Sequence, residues 1–275
     1  MPELPEVETV RRGIEPALVG RRLERVAIRD GRLVAPLDAA AVAAELEGER
    51  VVAVDRRGKY LIVRFETGRS LLIHLRMTGS LRHTGNGAVL KAGPHVRAVI
   101  DLDDDSDVVY RDVRRFGTWL LLEPGEEAPY LAVRLGEEPL ARAFTARRLG
   151  ERLRGRTVAV KGALLDQRTV AGLGNIYADE ALWRARLSPL RPAGRVTPEE
   201  VRRLHRALRD ALRLGIERQG ATLRDYARPG GERGAMQHEF RVYGRSGEPC
   251  ARCGTSIAKA RVAGRGTSYC PRCQR

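Results

Sequence analysis

The sequence contains no long hydrophobic run. No apolar stretch of its 275 residues approaches the roughly 20 needed for a membrane-spanning helix. The amino terminus is acidic, contains Pro2 and Pro5, and lacks the basic and then apolar pattern of a secretory signal peptide. These absences exclude an integral membrane protein, and we expect the chain to work in the cytoplasm, away from any membrane.

Acidic residues are scarce relative to basic ones. The sequence has 35 Asp and Glu residues against 50 Lys and Arg residues, a formal net charge of +15. This balance favours a polyanionic partner and salt-sensitive binding, but an arginine-rich composition alone does not establish nucleic-acid binding. The length and the 43% hydrophobic content suffice for two domains with separate cores.

Cysteine is also rare, and its few copies lie at the carboxyl-terminal end. They form two Cys-x2-Cys pairs with 16 residues between the pairs: Cys250, Cys253, Cys270 and Cys273. This spacing is typical of a tetrahedral four-thiolate zinc site. Two disulfides are the alternative, which a cytosolic chain disfavours. We therefore predict one structural Zn²⁺, because four cysteine ligands leave no open coordination position for catalysis.

The segment around these cysteines is strongly basic. Residues 240–275 contain eight Lys and Arg residues and one acid, Glu248, which gives a net charge of +7. Phosphate groups attract such a concentration of positive charge. We predict a zinc-held β-hairpin over 240–275 that contacts a phosphate backbone.

The amino-terminal half has the residue pattern of β-strands. A short alanine-rich helix is predicted at 38–46, and strands are predicted within 21–34, 51–75, 95–102, 108–111 and 118–122. The acidic run 101–107 lacks the glycine and terminal glutamate of a calcium loop, so we interpret it as a solvated hairpin tip. The pattern predicts an α+β protein whose amino-terminal domain is a β-sandwich with flanking helices.

From residue 145 onward the pattern is helical. Thr197 and Glu200 predict a capping box, and a buried stripe follows at Val201, Leu204, Leu208 and Leu212. Gly172 and Gly174 permit a tight turn before a helix whose first amides would attract a phosphate. The polar, turn-prone segment 131–140 is interpreted as an interdomain linker.

The first residues combine a potential nucleophile with an acid. If Met1 is removed, Pro2 becomes a free secondary amine beside the carboxyl group of Glu3. Such an amine attacks an aldehyde-level carbon to give a charged iminium, and an α-amino group titrates near ~7.7 to 8.0. The alternative is an ordinary helix start, since Val7, Val10 and Ile14 follow Pro5 at helical spacing.

Two stretches of the sequence resemble a known family. The opening PELPEVETVRRGIEP and the later GNIYADE are similar to those of formamidopyrimidine-DNA glycosylases, bacterial repair enzymes that excise oxidised purines. The resemblance continues along nearly the whole chain. It implies a catalytic β-sandwich domain (1–130), a linker (131–140), a helix-two-turn-helix domain (141–239) with a lesion-recognition loop (222–239), and a zinc finger (240–275).

The resemblance assigns four residues to catalysis. It implies that Pro2 is the nucleophile and that Glu3 is the acid that protonates the sugar ring oxygen. Lys59 resembles a proton shuttle for strand cleavage, although a lysine that begins a strand is more often simply solvated. Arg265 matches the zinc-finger arginine at the backbone that flanks the lesion.

Six further residues match DNA-contacting positions: Met77, Arg114, Phe116, Arg156, Lys161 and Asn175. The first three resemble a triad that fills the gap left by a flipped base, where apolar side chains wedge into the stack and arginine satisfies the widowed base. The last three resemble contacts to the phosphate backbone, with Lys161 and Asn175 in the helix-two-turn-helix motif.

The resemblance implies a glycosylase with abasic-site lyase activity that acts as a monomer on duplex DNA containing oxidised bases. One alternative is the related endonuclease VIII branch, which acts on oxidised pyrimidines. The separate stretches that carry Met77 and Arg114-x-Phe116, and the long 222–239 segment, favour the purine branch. The other alternative is a non-catalytic zinc-ribbon DNA-binding protein, for which Pro2 would be incidental.

Three positions depart from the family pattern. Arg76 stands where glycine is usual, Gly93 where a DNA-contacting histidine is frequent, and Ala235-Met236 where an aromatic pair is common. These departures leave the lesion spectrum open. They leave Pro2, Glu3 and the cysteines unaffected.

Overall fold

The computed structural model of the chain describes residues 1–85, 91–222 and 229–275. These residues form two compact units. Unit 1 is Met1–Leu131 with Gln219–Ala235, and unit 2 is Ala132–Arg218 with Met236–Arg275. Among the described helices, none is long and apolar enough to cross a bilayer. The domain boundaries given by the resemblance stay a prediction.

Unit 1 is built on two four-stranded antiparallel sheets. The strand orders are β1-β6-β7-β5 and β2-β3-β4-β8. The strands are β1 Leu23–Ile28, β2 Val51–Arg57, β3 Tyr60–Phe65, β4 Ser70–His74, β5 Ser80–Gly85, β6 Val96–Leu102, β7 Ser106–Arg111 and β8 Thr118–Leu122. The α-helices among its described residues are α1 Leu4–Leu18, α2 Ala39–Leu46 and α3 Glu127–Ala132. The predicted α+β class with an amino-terminal β-sandwich is confirmed.

Helix α1 contributes one apolar face to the core of unit 1. Val7, Val10 and Ile14 recur every three or four residues and are at most 1% exposed. They join one hydrophobic cluster with strand residues such as Val54 of β2 and Leu61 of β3. The start of α1 is therefore held by the packing of the whole sandwich.

The acidic run between β6 and β7 forms a hairpin tip, as predicted. The Asp104 carboxylate accepts hydrogen bonds from the backbone nitrogen of Ser106 at 3.2 Å and from its hydroxyl at 2.6 Å. Such a bond to the backbone two residues ahead stabilises a tight turn. Arg21 lies 2.9 Å from the other Asp104 oxygen, so the charge at the tip is partly balanced by arginine.

Two strands differ from the prediction. Strand β5 was not predicted because it contains a single buried apolar residue, Leu81, and it forms by pairing with β7. The strand predicted over 21–34 ends at Ile28. Asp30 then accepts a hydrogen bond from the Arg32 nitrogen at 3.3 Å and begins a short 3₁₀ helix, because its side chain competes with strand pairing.

Unit 2 contains four α-helices and one hairpin. These are α4 Ala146–Leu153, α5 Val160–Leu165, α6 Asn175–Arg184, α7 Pro198–Glu217, β9 Ala258–Val262 and β10 Arg265–Tyr269. The predicted capping box is confirmed at α7. The Glu200 nitrogen donates to the Thr197 hydroxyl at 3.3 Å, and the Thr197 nitrogen donates to the Glu200 carboxylate at 2.8 Å.

Helices α6 and α7 pack through a glycine. A Cβ added to Gly215 would lie 2.4 Å from Cε1 of Tyr177 and 2.6 Å from its hydroxyl oxygen. Tyr177 is fully buried, so its ring has no room to retreat. The close approach of the two helices therefore requires the missing side chain at Gly215.

We expect Gly215→Ala to destabilise the protein by about 1 to 3 kcal/mol, because the added methyl overpacks the contact with Tyr177. Gly150→Ala in α4 is the matched control, since its Cβ would lie 3.6 Å from Val201, an ordinary contact distance. That change should stabilise α4 by about 0.5 to 1 kcal/mol. Urea unfolding followed by circular dichroism measures both variants, and equal midpoints would contradict the packing argument.

Candidate active site and nucleic-acid interface

The start of α1 holds Glu3 in a buried helix cap. Glu3 is 2% exposed and is the N-cap residue, with Pro5 in the first helical turn. Its backbone nitrogen donates to Oε2 of Glu6 at 2.9 Å, which is one half of a capping box. The carboxyl group predicted to act as the acid is thus fixed by the helix and kept from bulk water.

Pro2 precedes this cap and is buried. Its nitrogen belongs to the peptide bond with Met1, which is 43% exposed. An amide nitrogen is a poor nucleophile, whereas the secondary amine freed by removal of Met1 is a good one. The predicted nucleophile therefore depends on the removal of an accessible residue.

Glu6 makes a second contact that the sequence did not reveal. Its Oε1 accepts a hydrogen bond from the backbone nitrogen of Ala221 at 2.8 Å, and Glu6 is 2% exposed. Close by, the Gly234 nitrogen donates to the Thr222 hydroxyl at 2.9 Å. One buried carboxylate thus connects the helix cap to the base of the predicted lesion-recognition loop. Residues 223–228 of that loop lie outside the described residues.

Lys59 lies in the tight turn between β2 and β3. It is 5% exposed, so it is not a solvated surface lysine. Gly58 before it has φ of 58°, a conformation that favours glycine. Arg56 donates to the Gly58 carbonyl at 3.0 Å and to the Glu8 carboxylate of α1 at 3.1 Å. The turn that carries Lys59 is therefore tied to the helix that carries Glu3.

His74 at the end of β4 is held in its neutral form. Burial, together with the positive charges of Arg76 and Lys59, lowers the pKa of His74 to about 3. The Arg76 backbone nitrogen donates to Nδ1 of His74 at 3.0 Å, which leaves the imidazole proton on Nε2. An uncharged donor thus lies near Lys59, with its ring edge-on to Tyr60 at 4.9 Å.

Asp112 organises the two loops that carry the predicted void-filling residues. It is 1% exposed, and its carboxylate accepts hydrogen bonds from the backbone nitrogens of Gly117 at 2.7 Å and of Arg114 at 3.2 Å. The Thr78 hydroxyl donates to the same carboxylate and accepts from the Arg114 nitrogen at 3.0 Å. Because Thr78 follows Met77, the loops of Met77 and Arg114 are joined.

The Tyr110 side chain packs against both loops. A Cβ on Gly79 would lie 2.5 Å from the Tyr110 hydroxyl oxygen, and one on Gly117 would lie 1.7 Å from it. Tyr110 is fully buried, and burial together with the charge of Asp112 raises the pKa of its hydroxyl. The two glycines allow the loops to close over this ring.

Arg114 and Phe116 are presented to solvent. Phe116 is 51% exposed, and the Arg114 guanidinium carbon lies 4.7 Å above the centre of its ring. This cation–π contact stiffens both side chains at the tip of the loop. Met77 is half-buried on the neighbouring loop. The arrangement is compatible with a wedge and a base-reading arginine.

Arg76 explains one departure from the family pattern. Its φ of 52° lies in the left-handed region, where glycine is favoured. A side chain at such a position costs of order 1 kcal/mol, which the surrounding loop must offset. Arginine thus adopts here a backbone conformation that favours glycine.

In unit 2, the Lys161 side chain lies inside the protein. Its ammonium is fully buried and forms an ion pair with Asp179 at 2.6 Å. It also donates to the Gly266 carbonyl at 3.0 Å and to the Thr267 hydroxyl at 2.8 Å. These bonds fix the hairpin from inside, and the phosphate contact of Lys161 stays a prediction.

Asn175 and Asp179 hold the same strand of the hairpin. The Asn175 amide donates to the Gly266 carbonyl at 3.0 Å, and the Ser268 nitrogen donates to Asp179 at 3.0 Å. Burial raises the pKa of Asp179 to about 6, although Lys161 opposes the shift. Asn175 is also the first residue of α6, so it lies at the positive end of the dipole of that helix.

The two arginines of unit 2 that are predicted to contact DNA differ in their side-chain contacts. Arg156 is half-buried and lies 3.3 Å from the Asp166 carboxylate. Arg265 is exposed at the start of β10, and within the described ranges its side chain has no hydrogen bond or ion pair. The Arg265 guanidinium is therefore available to an external phosphate. Arg156 could bind a phosphate only by giving up its ion pair with Asp166 or by sharing its guanidinium between the two groups.

The four cysteines meet as the spacing predicts. Their sulfur atoms all lie within 4.8 Å of one another, and the thiols are free. Tetrahedral zinc with Zn–S bonds of about 2.3 Å requires sulfurs roughly 3.8 Å apart, whereas a disulfide requires about 2 Å. The residues fit one Zn²⁺, and the disulfide alternative is wrong.

Trp183 of α6 supports this cluster. Its indole nitrogen donates to Cys250 Sγ at 3.4 Å. The Arg252 guanidinium carbon lies 3.7 Å above the Trp183 ring, and Arg252 donates to the Trp183 carbonyl at 2.6 Å. Such outer contacts orient a thiolate ligand. Sequence reasoning missed this residue because nothing local connects α6 to the cysteines.

Comparison with known proteins identifies three domain families along the chain. Residues 1–119 match the formamidopyrimidine-DNA glycosylase N-terminal domain, 135–227 match the formamidopyrimidine-DNA glycosylase H2TH domain, and 247–275 match the zinc finger found in FPG and IleRS.

Full-length relatives agree with these matches. The chain is 50% identical over 276 residues to a formamidopyrimidine-DNA glycosylase of Symbiobacterium thermophilum, covering 100% of this chain and 89% of the relative. It is similar to a mutant Lactococcus lactis FPG solved with Fapy-dG-containing DNA, with a TM-score of 0.93, 38% identity and 100% coverage of both chains. The match to Lactococcus lactis Fpg with abasic-site-containing DNA has a TM-score of 0.92, 39% identity and 99% coverage of both chains. This chain therefore belongs to the formamidopyrimidine-DNA glycosylase family.

Proposed function

We propose that this chain is a base-excision-repair DNA glycosylase with abasic-site lyase activity, and that it acts on oxidised purines in duplex DNA. The observation that carries the proposal is the start of α1, where Pro2 is followed directly by Glu3 in a cap that is 2% exposed. A structural protein gains little from a buried carboxyl group beside its terminal amine. The family match that begins at residue 1 supports the same conclusion.

The first step is base excision. The freed Pro2 nitrogen forms a bond to C1′ of the flipped nucleotide, and the bond from C1′ to the damaged base breaks with its electron pair leaving on the base. The proton that the Pro2 nitrogen loses neutralises the departing base. Glu3 donates a proton to the sugar ring oxygen, so the ring opens and a Pro2–C1′ iminium forms. The Glu6 bond to the Glu3 nitrogen, at 2.9 Å, keeps the acid beside the nucleophile.

The second step is strand cleavage. The iminium draws electrons from C2′, so a proton leaves C2′ and the 3′ phosphate departs by β-elimination. A following δ-elimination releases the 5′ phosphate, and water hydrolyses the remaining iminium. We assign Lys59 to proton transfer in these eliminations because its turn is tied to α1 through Arg56 and Glu8.

The remaining predicted residues bind DNA in the proposal. Met77 and Phe116 fill the gap in the base stack, and Arg114 reads the base opposite it. Arg265, Asn175 and Arg156 hold phosphates, while Lys161 positions the hairpin from inside. We assign these contacts to the domains given by the resemblance, 1–130, 141–239 and 240–275, with 131–140 as linker.

Zinc has a structural role in the proposal. The four cysteines would hold one Zn²⁺ with no open ligand position, so the metal fixes the hairpin and takes no part in the chemistry. We propose that the chain works as a monomer in the bacterial cytoplasm, associated with the nucleoid through DNA. Oxidised pyrimidines, the substrates of the endonuclease VIII branch, serve as the competing substrate in the tests below.

Borohydride should trap a covalent complex between the Met1-free protein and DNA with 8-oxoguanine opposite cytosine, because hydride reduces the iminium. Pro2→Gly and a Met1-retaining form should lose most of the trapping. Arg25→Ala, an exposed change in β1, is the control that should trap fully. Mass spectrometry confirms the amino terminus of each sample. Full trapping by a homogeneous Met1-retaining protein would rule out Pro2, and preferential trapping on oxidised pyrimidines would favour the endonuclease VIII branch.

Arg114→Ala should lose most of the preference for cytosine over adenine opposite the lesion. Cytosine presents the acceptors O2 and N3 to the guanidinium, whereas adenine presents a donor at N6. The discrimination should be worth roughly 1 to 3 kcal/mol, or about ten- to a hundredfold in rate. Single-turnover excision on both duplexes measures it.

Arg265→Ala is the comparison variant for this test. It should weaken binding to every duplex alike and reduce the salt dependence, because a phosphate contact carries no base information. If the cytosine-to-adenine ratio is unchanged in Arg114→Ala, the discrimination comes from duplex deformability instead.

Chelation of zinc should abolish DNA binding and unfold the hairpin, while the strand signal of unit 1 persists. The hairpin is short and has little apolar content, so the metal supplies most of its folding free energy. Metal analysis, electrophoretic mobility shift and limited proteolysis follow the three effects, and added Zn²⁺ but not Mg²⁺ should reverse them. DNA binding that persists after complete zinc removal would show that the hairpin stays folded without the metal.

A further inference from the structure

Unit 2 contains a cavity that the proposed chemistry does not use. It has a volume of about 530 Å³ and lies between α4, the turn at Ala193–Arg195 and the first turns of α7. None of its lining residues belongs to the predicted catalytic, DNA-contacting or zinc-binding set. A volume of this size is typical of ligand pockets rather than of packing defects.

The floor of the cavity is apolar. Leu153 and Ala193 are each 1% exposed and Val201 is 6% exposed, and all three line the space. An apolar floor in a concave site favours an apolar side chain, because its burial removes hydrocarbon surface from water. The cavity is therefore suited to hold one hydrophobic side chain of a partner.

The rim of the cavity is basic. Arg147, Arg154 and Arg202 line it, with Glu151 as the single acid. Arg147 lies 3.5 Å from Glu151. In the described part of the chain, neither Arg154 nor Arg202 forms an ion pair or a side-chain hydrogen bond, and both are exposed. The rim thus offers two uncompensated guanidinium groups beside an apolar floor.

A basic groove continues from this rim along α7. A second cavity of about 310 Å³ shares Ala146 and Arg202 with the first, and its arginines are Arg202, Arg206, Arg209 and Arg213. Their spacing of four, three and four residues places them on one face of the helix. Arg209 is partly engaged, since it donates to the carbonyls of Pro139 and Ala141. Arg206 is exposed and has no such partner among the described residues.

The length of the groove defines the size of its occupant. Arg202 and Arg213 are separated by 11 residues of α-helix, a distance of about 16 Å at 1.5 Å per residue. An extended peptide covers that distance with roughly five residues at about 3.3 Å each. Because side chains alternate along an extended peptide, about three of five consecutive acidic residues would face the arginine stripe along its length.

We propose that this groove, which we call the α4–α7 groove (Arg154, Leu153, Val201, Arg202, Arg206 and Arg213), binds an acidic peptide segment of a partner protein. About five acidic residues of the segment lie along the arginines of α7, and one aromatic or large aliphatic residue at its end enters the cavity. The carboxylates pair with the guanidinium groups of Arg154, Arg202 and Arg206, which have no ion pair among the described residues. Arg213 lies 3.9 Å from Asp210, an acid that also lines the groove, so its pairing with the peptide competes with that contact. The surface recruits the enzyme to another protein and leaves the zinc finger and α6 available to DNA.

The apolar floor distinguishes this occupant from DNA. A duplex backbone presents charged phosphates to a basic surface and has no side chain to bury against an apolar floor. The arginines alone fit either polyanion. The combination of a concave site with an apolar floor and a stripe of arginines fits a peptide that carries both kinds of group.

Isothermal titration calorimetry with a synthetic peptide tests the proposal. The peptide has five consecutive aspartates followed by a terminal phenylalanine, and a second peptide has alanine in place of the phenylalanine. The full-length, zinc-loaded protein should bind the first peptide at least tenfold more tightly than the second. The double variant Arg154→Ala/Arg202→Ala should weaken the first peptide by tenfold or more.

The control variant is Arg25→Ala/Arg152→Ala, which removes the same charge at exposed positions outside the groove. It should bind the first peptide as the wild type does, and thermal unfolding verifies that both double variants are folded. Excision of 8-oxoguanine should be unchanged in Arg154→Ala/Arg202→Ala.

Three results would overturn the proposal. The first is no heat of binding for the phenylalanine peptide at millimolar concentration. The second is equal affinity for both peptides, or equal loss in both double variants, since either shows attraction by net charge alone. The third is a parallel loss of duplex-DNA affinity in Arg154→Ala/Arg202→Ala but not in the control, which would make the groove a DNA-binding face.

Discussion

The structure of unit 1 depends on one buried carboxylate. Glu6 divides its two oxygens between the backbone nitrogen of Glu3 and that of Ala221, which lies 215 positions further along the chain. Removing a partner from a buried, hydrogen-bonded carboxylate leaves a charge without compensation, which is far more costly than losing a surface contact. The position of the acid and the base of the loop that follows α7 are therefore fixed by the same group, and a change at one is transmitted to the other.

Buried polar groups fix the positions of the other functional segments in the same way. Asp112 collects the backbone of the loop at Arg114 and Gly117 together with the Thr78 hydroxyl. In unit 2, the buried pair of Lys161 and Asp179 holds the backbone of β10. Arg114 and Phe116 in unit 1 and Arg265 in unit 2 are exposed, while buried neighbours decide where their backbone lies. Buried hydrogen-bonded networks of this kind favour one arrangement over its competitors.

Local patterns predicted the features whose cause is local. The spacing of Cys250, Cys253, Cys270 and Cys273 predicts the sulfur cluster, and Thr197 with Glu200 predicts the start of α7, because each signal lies within a few residues or in a paired motif. The burial of Lys161 against Asp179 and Gly266 could not be predicted, because it arises from packing between separate segments. Strand β5 escaped prediction for the same reason, since its partner β7, rather than its own composition, makes it a strand.

The two tryptophans lie in different units, so their fluorescence reports on the two units separately. The chain has two tryptophans, and Trp119 lies in the sandwich core of unit 1 while Trp183 donates to Cys250 and is covered by Arg252. Sulfur and a stacked cation alter indole emission strongly, whereas the apolar surroundings of Trp119 give a blue-shifted spectrum. Replacing either tryptophan by phenylalanine would therefore leave a protein whose tryptophan fluorescence reports on one unit alone. Metal loss and unfolding of the sandwich could then be followed separately by fluorescence.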